Sequence, residues 1–221
     1  VNFTNPAGIV TEAVIKHSSV RTVGLCNLPI GTRMQIADIY GIDAARVQTE
    51  MVGINHLNWT TRIWVDGEDI TRSFLSKAAG SSGLTMKNIP DFEWDDEFLQ
   101  AVGALPCSYH RYYYMRNKML GHMQEKFQEH GTTRADDVLK VEAELFELYK
   151  DKALTVKPPQ LEKRGGAYYS EAAVNLIRAI YNNTGNIQTV NVKNNGVLPF
   201  LPDDASVEIN CVIDAAGAHP I

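Results

Sequence analysis

The chain has 221 residues, of which 44% are hydrophobic and 21% are charged, and 21 Lys and Arg against 26 Asp and Glu leave a net charge of −5. This composition excludes a disordered or collagen-like chain, because it supplies enough apolar surface for a core. The mild acidity without a basic run argues against a nucleic-acid partner, and no apolar run reaches the roughly 18 residues of a membrane span.

The first part of the chain predicts an alternation of strands and helices. The predicted elements are strand 1–4, helix 6–17, strand 21–26 and helix 31–40. Asn5 would cap the first helix with Pro6 as its first residue, and Gly41 would end the second. The order is typical of an α/β layer. Because the chain starts without Met at a strand and stops without a closing element, we expect a fragment of a longer protein.

The middle of the chain predicts two β-strands followed by a hairpin-type turn. Residues 47–54 and 57–65 are β-prone and are separated around Asn55 and His56, and Asp66-Gly67 is a turn signal. Residues 76–90 are expected to form a loop.

The composition becomes helical from residue 95. We predict helices at 112–130, 135–152 and 170–181, a break at 158–166, and strands at 187–192 and 205–212. The whole pattern predicts one α/β (α+β) body with a mixed sheet and a helical insert, rather than two independent domains.

Two short motifs could supply metal ligands. Cys26-Asn27 follows a predicted strand at the head of a helix, a favoured binding position in α/β folds; the alternative is a buried thiol beside a turn Asn. His56 between two Asn residues could be a ligand or a turn residue. No C-x-x-C or H-x-x-x-H spacing accompanies them, so a closed structural zinc site is not expected. Three widely spaced cysteines favour a reducing compartment over a disulfide framework.

Two further motifs could bind or activate a substrate. Four tyrosines lie within residues 109–114, together with His110 and Arg111. A tyrosine acts as a base when a cation lowers its pKa, although such a stretch can equally be an aromatic helix face. Thr132-Thr133-Arg134 begins a predicted helix and could hold an anion, or could be a capped helix start with an exposed Arg. The chain has no G-x-G-x-x-G, P-loop or G-x-S-x-G motif.

Taken together, the motifs resemble glycoside hydrolase family 4. The matching stretches are NFTNPAGIVTEA at residues 2–13, GLCNLPI at 24–30, GINHL at 53–57, SYHRYY at 108–113 and TRAD at 133–136. The similarity continues at least to residues 164–170. The resemblance implies a fold similar to lactate and malate dehydrogenases, with residues 1–221 as the substrate-, metal-binding and oligomerisation domain. Residues 1–45 would include the junction with an N-terminal NAD-binding Rossmann domain that this chain lacks.

The resemblance also implies a mechanism that differs from the usual carboxylate pair of glycosidases. NAD⁺ would take a hydride from C3 of the sugar, and Mn²⁺ or another divalent metal would stabilise charge on the C2 and C3 oxygens. A tyrosinate would remove the C2 proton, the glycosidic oxygen would leave, and water and the hydride would then add. NAD would end unchanged.

Site residues follow from the same resemblance. Cys26 and His56 match the metal ligands, and Tyr109 matches the base, with Tyr112 and Tyr113 as alternatives. The residues matching substrate contacts are Arg134 for the 6-phosphate and Asn5 and Asn27 for hydroxyl groups. The cofactor-binding residues are expected outside this chain.

The residue after the metal-binding Cys indicates the substrate. The family's 6-phospho-α-glucosidases typically have an acidic Asp there, whereas Asn27 cannot donate a proton in that way. The resemblance therefore favours a cytoplasmic 6-phospho-β-glucosidase acting on phosphorylated disaccharides such as cellobiose-6-phosphate, as a homodimer or homotetramer. Three alternatives remain: a 6-phospho-α-glucosidase or α-galactosidase of the same family, an inactive assembly module, and a dehydrogenase relative that oxidises without eliminating.

Overall fold

A computed structural model describes residues 1–86 and 88–221. Its helices are α1 (Ala7–His17), α2 (Leu28–Tyr40), α3 (Thr71–Ala78), α4 (Asp96–Val102), α5 (Arg111–Tyr114), α6 (Arg116–His130), α7 (Arg134–Leu148), α8 (Gln160–Arg164) and α9 (Tyr169–Asn182). Its strands are β1 (Val47–Ile54), β2 (Leu57–Val65), β3 (Glu68–Asp69), β4 (Leu105–Pro106), β5 (Asn186–Lys193), β6 (Ser206–Asp214) and β7 (Gly217–Pro220). The predicted α/β class is confirmed.

The strands form two antiparallel sheets in the described part of the chain. The first has the order β1-β2-β3, with β4 pairing with β2, and the second has the order β5-β6-β7. Strands β1 and β2 have the predicted bounds and pair as an antiparallel hairpin. The Asp66-Gly67 turn joins β2 to β3 and has positive φ at both residues (52° and 85°), as the twist of a two-residue hairpin turn requires. The parallel component of the predicted mixed sheet is a single bridge between Asn2 and Gly24.

The sheets carry separate apolar clusters. The second sheet packs against α9 through residues such as Leu176, Val190 and Ile209, and the first packs against α2, α3 and α4 around Ile36 and Phe74. A small third cluster contains Cys26, Leu28 and Cys107. This third cluster places the end of the 21–26 segment beside the 105–110 segment, and the candidate site lies there.

Gly24 connects the N-terminal segment to the second sheet. It forms a parallel bridge with Asn2 and an antiparallel bridge with Asn191, in which the amide N–H of each of Gly24 and Asn191 donates to the other's carbonyl at 2.8 Å. The strand predicted at 21–26 is therefore reduced to the bridged residue Gly24, and the strand predicted at 1–4 is reduced to Asn2. The residues on either side of them do not pair with a neighbouring strand over a continuous stretch.

Substituting alanine for Gly24 is expected to destabilise the protein by about 1–3 kcal/mol, the usual cost of overpacking a filled interior. A Cβ atom at this position would lie 2.1 Å from Oγ1 of Thr11 and 2.8 Å from Cβ of Asn191, so the bridge must open or α1 must shift. Thermal unfolding of Gly24→Ala beside Gly31→Ala measures the effect, since a Cβ at Gly31 would meet nothing within 4 Å. Equal unfolding midpoints for the two variants would contradict the expectation.

Several predicted boundaries were wrong. Helix α1 begins at Ala7 with Pro6 as its N-cap, so Asn5 does not cap it; the Asn5 side chain bonds elsewhere. The helix predicted at 112–130 is interrupted at Met115, where φ and ψ leave the helical region. The chain end predicted to lack a closing element forms β7, which extends the second sheet.

The remaining differences concern loops. The predicted loop 76–90 begins within α3, and Lys87 lies outside the described residues. The predicted break at 158–166 contains the five-residue helix α8. Helix α2 starts three residues earlier than predicted, with Pro29 in its first turn, and ends at Gly41 in the left-handed conformation as predicted.

Candidate active site

Cys26 lies at the entry to α2 and is almost completely buried, with 2% of its surface exposed. Its Sγ accepts a hydrogen bond from the backbone N–H of Leu28 at 3.5 Å, because the first amide groups of a helix have no partner within the helix. Burial raises the pKa of the Cys26 thiol to about 12, and the nearby carboxylate of Glu208 acts in the same direction. Without a cation, the sulfur is therefore a neutral thiol at pH 7.

Asn27 occupies the N-cap position of α2, where its side chain makes no capping hydrogen bond, and it is also buried. Its Nδ2 donates to the carbonyl oxygen of Ala167 at 2.9 Å. The amide nitrogen of Asn27 is thus hydrogen-bonded to the segment that leads into α9. Its Oδ1 atom lies 3.9 Å from Sγ of Cys26. Asn27 ties the head of α2 to the 165–169 segment.

His56 occupies the turn between β1 and β2 with a φ of 65°, a left-handed conformation that is uncommon outside glycine. Its ring stacks on Tyr109, with centroids 4.1 Å apart and an interplanar angle of 18°. Partial burial lowers the pKa of His56, so the imidazole is neutral near pH 7, the form that binds metals.

Tyr109 lies next to both of the predicted metal ligands. Its ring stacks on His56, and it packs against the cluster that contains Cys26 and Cys107. Burial raises the pKa of Tyr109, which is opposite to the direction that a base needs, so a base role requires a cation beside the phenol. Tyr112 and Tyr113 are 42% and 75% exposed.

His110 and Arg111, within the tyrosine-rich stretch, make structural contacts. Arg111 is completely buried, and its guanidinium donates to the carbonyl oxygens of Phe92 (2.8 Å) and Leu84 (3.3 Å) and contacts Asp91 at 3.2 Å. Nδ1 of buried His110 lies 3.2 Å from Sγ of Cys107, which also bonds the backbone oxygen of His56 at 3.3 Å. These contacts hold Tyr109 against the turn that carries His56.

Asn5 is paired with a tyrosine that the sequence interpretation missed. Its Nδ2 donates to the hydroxyl oxygen of Tyr169 at 2.6 Å. The charges of Cys26 and Tyr109 both contribute to raising the pKa of Tyr169, after the larger effect of burial, so this phenol lies in the same site. The Gly165-Gly166 pair before it, with φ of 94° and 85°, was the signal of a chain reversal there.

Arg134 is exposed at the start of α7, at some distance in the chain from these residues. Thr133 caps the helix in a capping box with Asp136. The Arg134 guanidinium donates to the carbonyl oxygens of Lys163 (2.9 Å) and Arg164 (3.3 Å). Arg134 therefore holds the C-terminal end of α8, from which the chain continues into the 165–169 segment that bonds Asn27.

A buried carboxylate was also missed. Glu208 on β6 is completely buried and accepts hydrogen bonds from the side-chain amides of Asn55, Asn58 and Asn191. Burial raises the pKa of Glu208, and the three amide hydrogen bonds oppose that rise. The signal in the sequence was a single acidic residue inside the apolar run 207–213.

The donor set fits a metal ion with open coordination positions. Among residues 1–86 and 88–221, no three His, Cys, Asp or Glu side chains come close enough together to hold a metal ion. Cys26 and His56 would supply two ligands and leave the remaining coordination positions open. Within the described part of the chain, Glu208 has no cationic partner. A cation held by Cys26 and His56 would stabilise the thiolate and would favour the ionised form of Glu208, whose pKa burial raises.

Comparison with known proteins identifies the family. Residues 51–221 match the family 4 glycosyl hydrolase C-terminal domain, and residues 1–42 match family 4 glycosyl hydrolase. The chain belongs to glycosyl hydrolase family 4.

The similar curated proteins include 6-phospho-β-glucosidases. A probable 6-phospho-β-glucosidase of Bacillus subtilis is 50% identical to the chain, and a 6-phospho-β-glucosidase of Escherichia coli is 39% identical. Each match covers all of this chain and 50% of the relative. The chain thus spans about half the length of these relatives.

Solved structures agree with the fold. The 6-phospho-β-glucosidase of Thermotoga maritima, solved with manganese, NAD⁺ and glucose-6-phosphate, aligns with a TM-score of 0.81 at 35% identity over all of this chain and 50% of that chain. A malate dehydrogenase from Plasmodium falciparum, at 17% identity and a TM-score of 0.54, shares the fold. Among the described residues, no helix is both long and apolar enough to cross a bilayer.

Proposed function

We propose that this chain is the substrate- and metal-binding part of a 6-phospho-β-glucosidase that releases glucose-6-phosphate from substrates such as cellobiose-6-phosphate. The observation that carries the proposal is the convergence of buried Cys26, the His56 turn and Tyr109 at one place. These residues come from three separate segments, and their chemistry matches the roles that the family resemblance assigns to them.

The β-linked substrate is favoured over the α-linked one. Asn27 has an amide where an acid would be needed, and its nitrogen is engaged by Ala167. The relatives support the same choice: the 6-phospho-β-glucosidases are 38–50% identical to this chain, whereas a 6-phospho-α-glucosidase of Leptotrichia buccalis is 26% identical.

In this proposal Cys26 and His56 hold the divalent metal, and Tyr109 takes the C2 proton of the sugar. Asn5 and Asn27 position sugar hydroxyl groups, and Arg134 contacts the 6-phosphate. When bound, NAD⁺ and Mn²⁺ supply reversible oxidation of the sugar and electrostatic stabilisation of its oxygens. Because the His56 ring stacks on Tyr109, a cation bound to His56 would lie near the phenol and would lower its pKa.

We further propose the context in which this chain works. Residues 1–221 would act as the substrate, metal and oligomerisation domain, with residues 1–45 forming the junction to an NAD-binding domain elsewhere in the polypeptide. The active protein would be a homodimer or homotetramer. A phosphorylated substrate implies action in the cytoplasm, where sugar phosphates are retained by their charge.

A calorimetric Mn²⁺ titration in the presence of glucose-6-phosphate tests the proposal, beside the Cys26→Ser variant. Binding that is lost in the variant supports a metal site formed by this chain. Absence of binding in both proteins would instead favour an assembly module without a formed metal site. Product analysis of the polypeptide that carries this chain separates the remaining alternatives, because net NADH would indicate a dehydrogenase and release of glucose-6-phosphate a glycosidase.

Removal of the Arg134 side chain is expected to raise KM for phosphorylated glycosides by roughly 10- to 150-fold, because a charge-assisted hydrogen bond typically contributes about 1.5–3 kcal/mol. KM for the unphosphorylated glycoside should change far less. Steady-state kinetics of Arg134→Ala measures both values. The matched control is Arg164→Ala, which removes a guanidinium paired with Glu142 at 2.7 Å. Equal changes with both glycosides would mean that Arg134 serves only to hold α8.

A further inference from the structure

Glu208 is a buried charged residue on β6, a strand whose alternate residues lie in the core of the second sheet. Its neighbours Val207 and Ile209 point into the apolar cluster of the second sheet, and Glu208 points the opposite way, toward the β1–β2 hairpin, with none of its surface exposed. Burying a carboxylate is costly unless hydrogen bonds replace water. Here three asparagine amides, two from the β1–β2 turn region and one from β5, do so.

Two of these amides lie on either side of His56. Nδ2 of Asn55 donates to Oε1 of Glu208 at 3.1 Å, and Nδ2 of Asn58 donates to Oε2. Between them, His56 has a left-handed backbone conformation, which a non-glycine residue adopts stably only when its surroundings hold it there. Oδ1 of Asn55 also accepts from the backbone N–H of Gly8 at 3.2 Å. The carboxylate thus holds the turn that presents the imidazole.

The third amide leads to Cys26. Nδ2 of Asn191 donates to Oε1 of Glu208 at 2.8 Å. The backbone of Asn191 pairs in both directions with Gly24 at 2.8 Å, two residues before Cys26. The same carboxylate oxygen therefore binds the residue that anchors the segment carrying the thiol.

We infer that Glu208 is a positioning residue that sets the mutual geometry of Cys26 and His56 by holding both of their segments with one carboxylate. The inference rests on the metal-binding role proposed above for these two residues. Residues that orient metal ligands commonly change metal affinity by 10- to 100-fold when they are replaced. Glu208 is expected to have an effect in that range although it does not itself bind the metal.

Asn210 provides a matched control on the same strand. It lies two residues from Glu208 on the same face and also bonds the first sheet, since its Oδ1 accepts from Met51 N–H at 3.0 Å and its Nδ2 donates to Thr49 O at 2.8 Å. These contacts are made to residues of β1 that lie several positions before the His56 turn. Loss of Asn210 should therefore affect stability without altering the metal site.

The experiment compares Glu208→Gln with Asn210→Ala in two measurements on the chain. Co²⁺ titration, followed by the thiolate-to-cobalt absorption band, should show about 10-fold or greater weakening in Glu208→Gln and less than about twofold change in Asn210→Ala. In the metal-free chain, the NMR signal of the His56 ring, shifted by the stacked Tyr109, should move toward the exposed value only in Glu208→Gln.

Rescue separates positioning from general damage. The double variant Asn55→Asp/Glu208→Gln exchanges donor and acceptor between the same two side chains and keeps one carboxylate at the site. It should recover most of the Co²⁺ affinity and the His56 signal. If Glu208→Gln does not fold, Asn58→Ser removes one of the three amide contacts and should shift both readouts in the same direction by a smaller amount.

Two results would overturn the inference: a His56 signal that is unchanged in Glu208→Gln, or equal losses in both readouts for Glu208→Gln and Asn210→Ala. A wild-type chain without a cobalt–thiolate band would overturn the proposed metal site instead. In that case the NMR comparison alone decides whether Glu208 positions His56.

Discussion

Replacing Cys26 by serine is expected to weaken Mn²⁺ binding by at least about 100-fold, beyond the range typical of losing a residue that only orients a ligand. Turnover by the polypeptide that carries this chain should fall below detection. The physical reason is that only a sulfur that loses its proton can bind the cation strongly at this buried position, and a serine hydroxyl does not ionise near pH 7. The measurement is calorimetry at constant pH, with thermal unfolding to verify the fold.

The pH dependence of binding gives an independent check. The metal-free thiol of Cys26 has a pKa of about 12, so metal binding near neutral pH must release its proton. Affinity should therefore rise by about tenfold per pH unit between roughly pH 7 and pH 8. His56 adds nothing to this slope, because burial lowers its pKa and the imidazole is already neutral. The Cys26→Ser variant should lose the slope.

Cys211→Ser is the matched control for this prediction. Cys211 is also a completely buried thiol whose pKa burial raises to about 12, but it lies in the core of the second sheet among Leu176 and Val190. Its replacement should lower stability and leave Mn²⁺ affinity unchanged. Metal binding that survives Cys26→Ser, or that fails equally in both variants, would remove Cys26 from the metal site.

Removing the hydroxyl of Tyr109 is expected to lower kcat by about 10²- to 10⁴-fold, the usual contribution of a general base. The phenylalanine ring would still stack on His56, so Mn²⁺ affinity should remain within a few-fold of the original value. Exchange of the C2 proton with solvent, followed by NMR in deuterated water, should disappear in Tyr109→Phe. This exchange reports on proton removal itself, separately from elimination and hydride transfer.

Tyr112→Phe and Tyr113→Phe serve as controls on the same stretch. Both side chains are substantially exposed, and their loss should leave exchange near its original rate. Exchange that persists in Tyr109→Phe and stops in Tyr112→Phe would assign the base to Tyr112. Exchange that persists in all three would point to Tyr169, the other phenol in the site.

The parts of the fold that could be predicted are those determined by interactions between residues close together in the sequence. Strands β1 and β2 were predicted with their observed bounds, as was the Asp66-Gly67 turn that joins β2 to β3, because β-propensity and turn chemistry act over a few positions. The strands predicted at residues 1–4 and 21–26 became isolated bridges, because whether an extended segment becomes a strand depends on a partner elsewhere. For residue 24 that partner is Asn191.

The candidate site, like the fold, could be predicted from the sequence only in part. The tyrosine-rich stretch allowed both a functional and a packing interpretation, and its side chains take different positions in the structure. Tyr109 faces His56, whereas Arg111 is buried among backbone carbonyls. Residue identity alone could not predict these different positions, since they depend on the side of a short turn from which each side chain projects.

The sequence by itself determined the two strands on either side of His56 and the resemblance to its family, because both are carried by short stretches of neighbouring residues. Only the tertiary structure decided that Glu208 lies beneath the site. It bonds Asn55 across 153 positions and Asn58 across 150. Such contacts form only when the two sheets pack together, and no local pattern records which buried carboxylate will meet which turn.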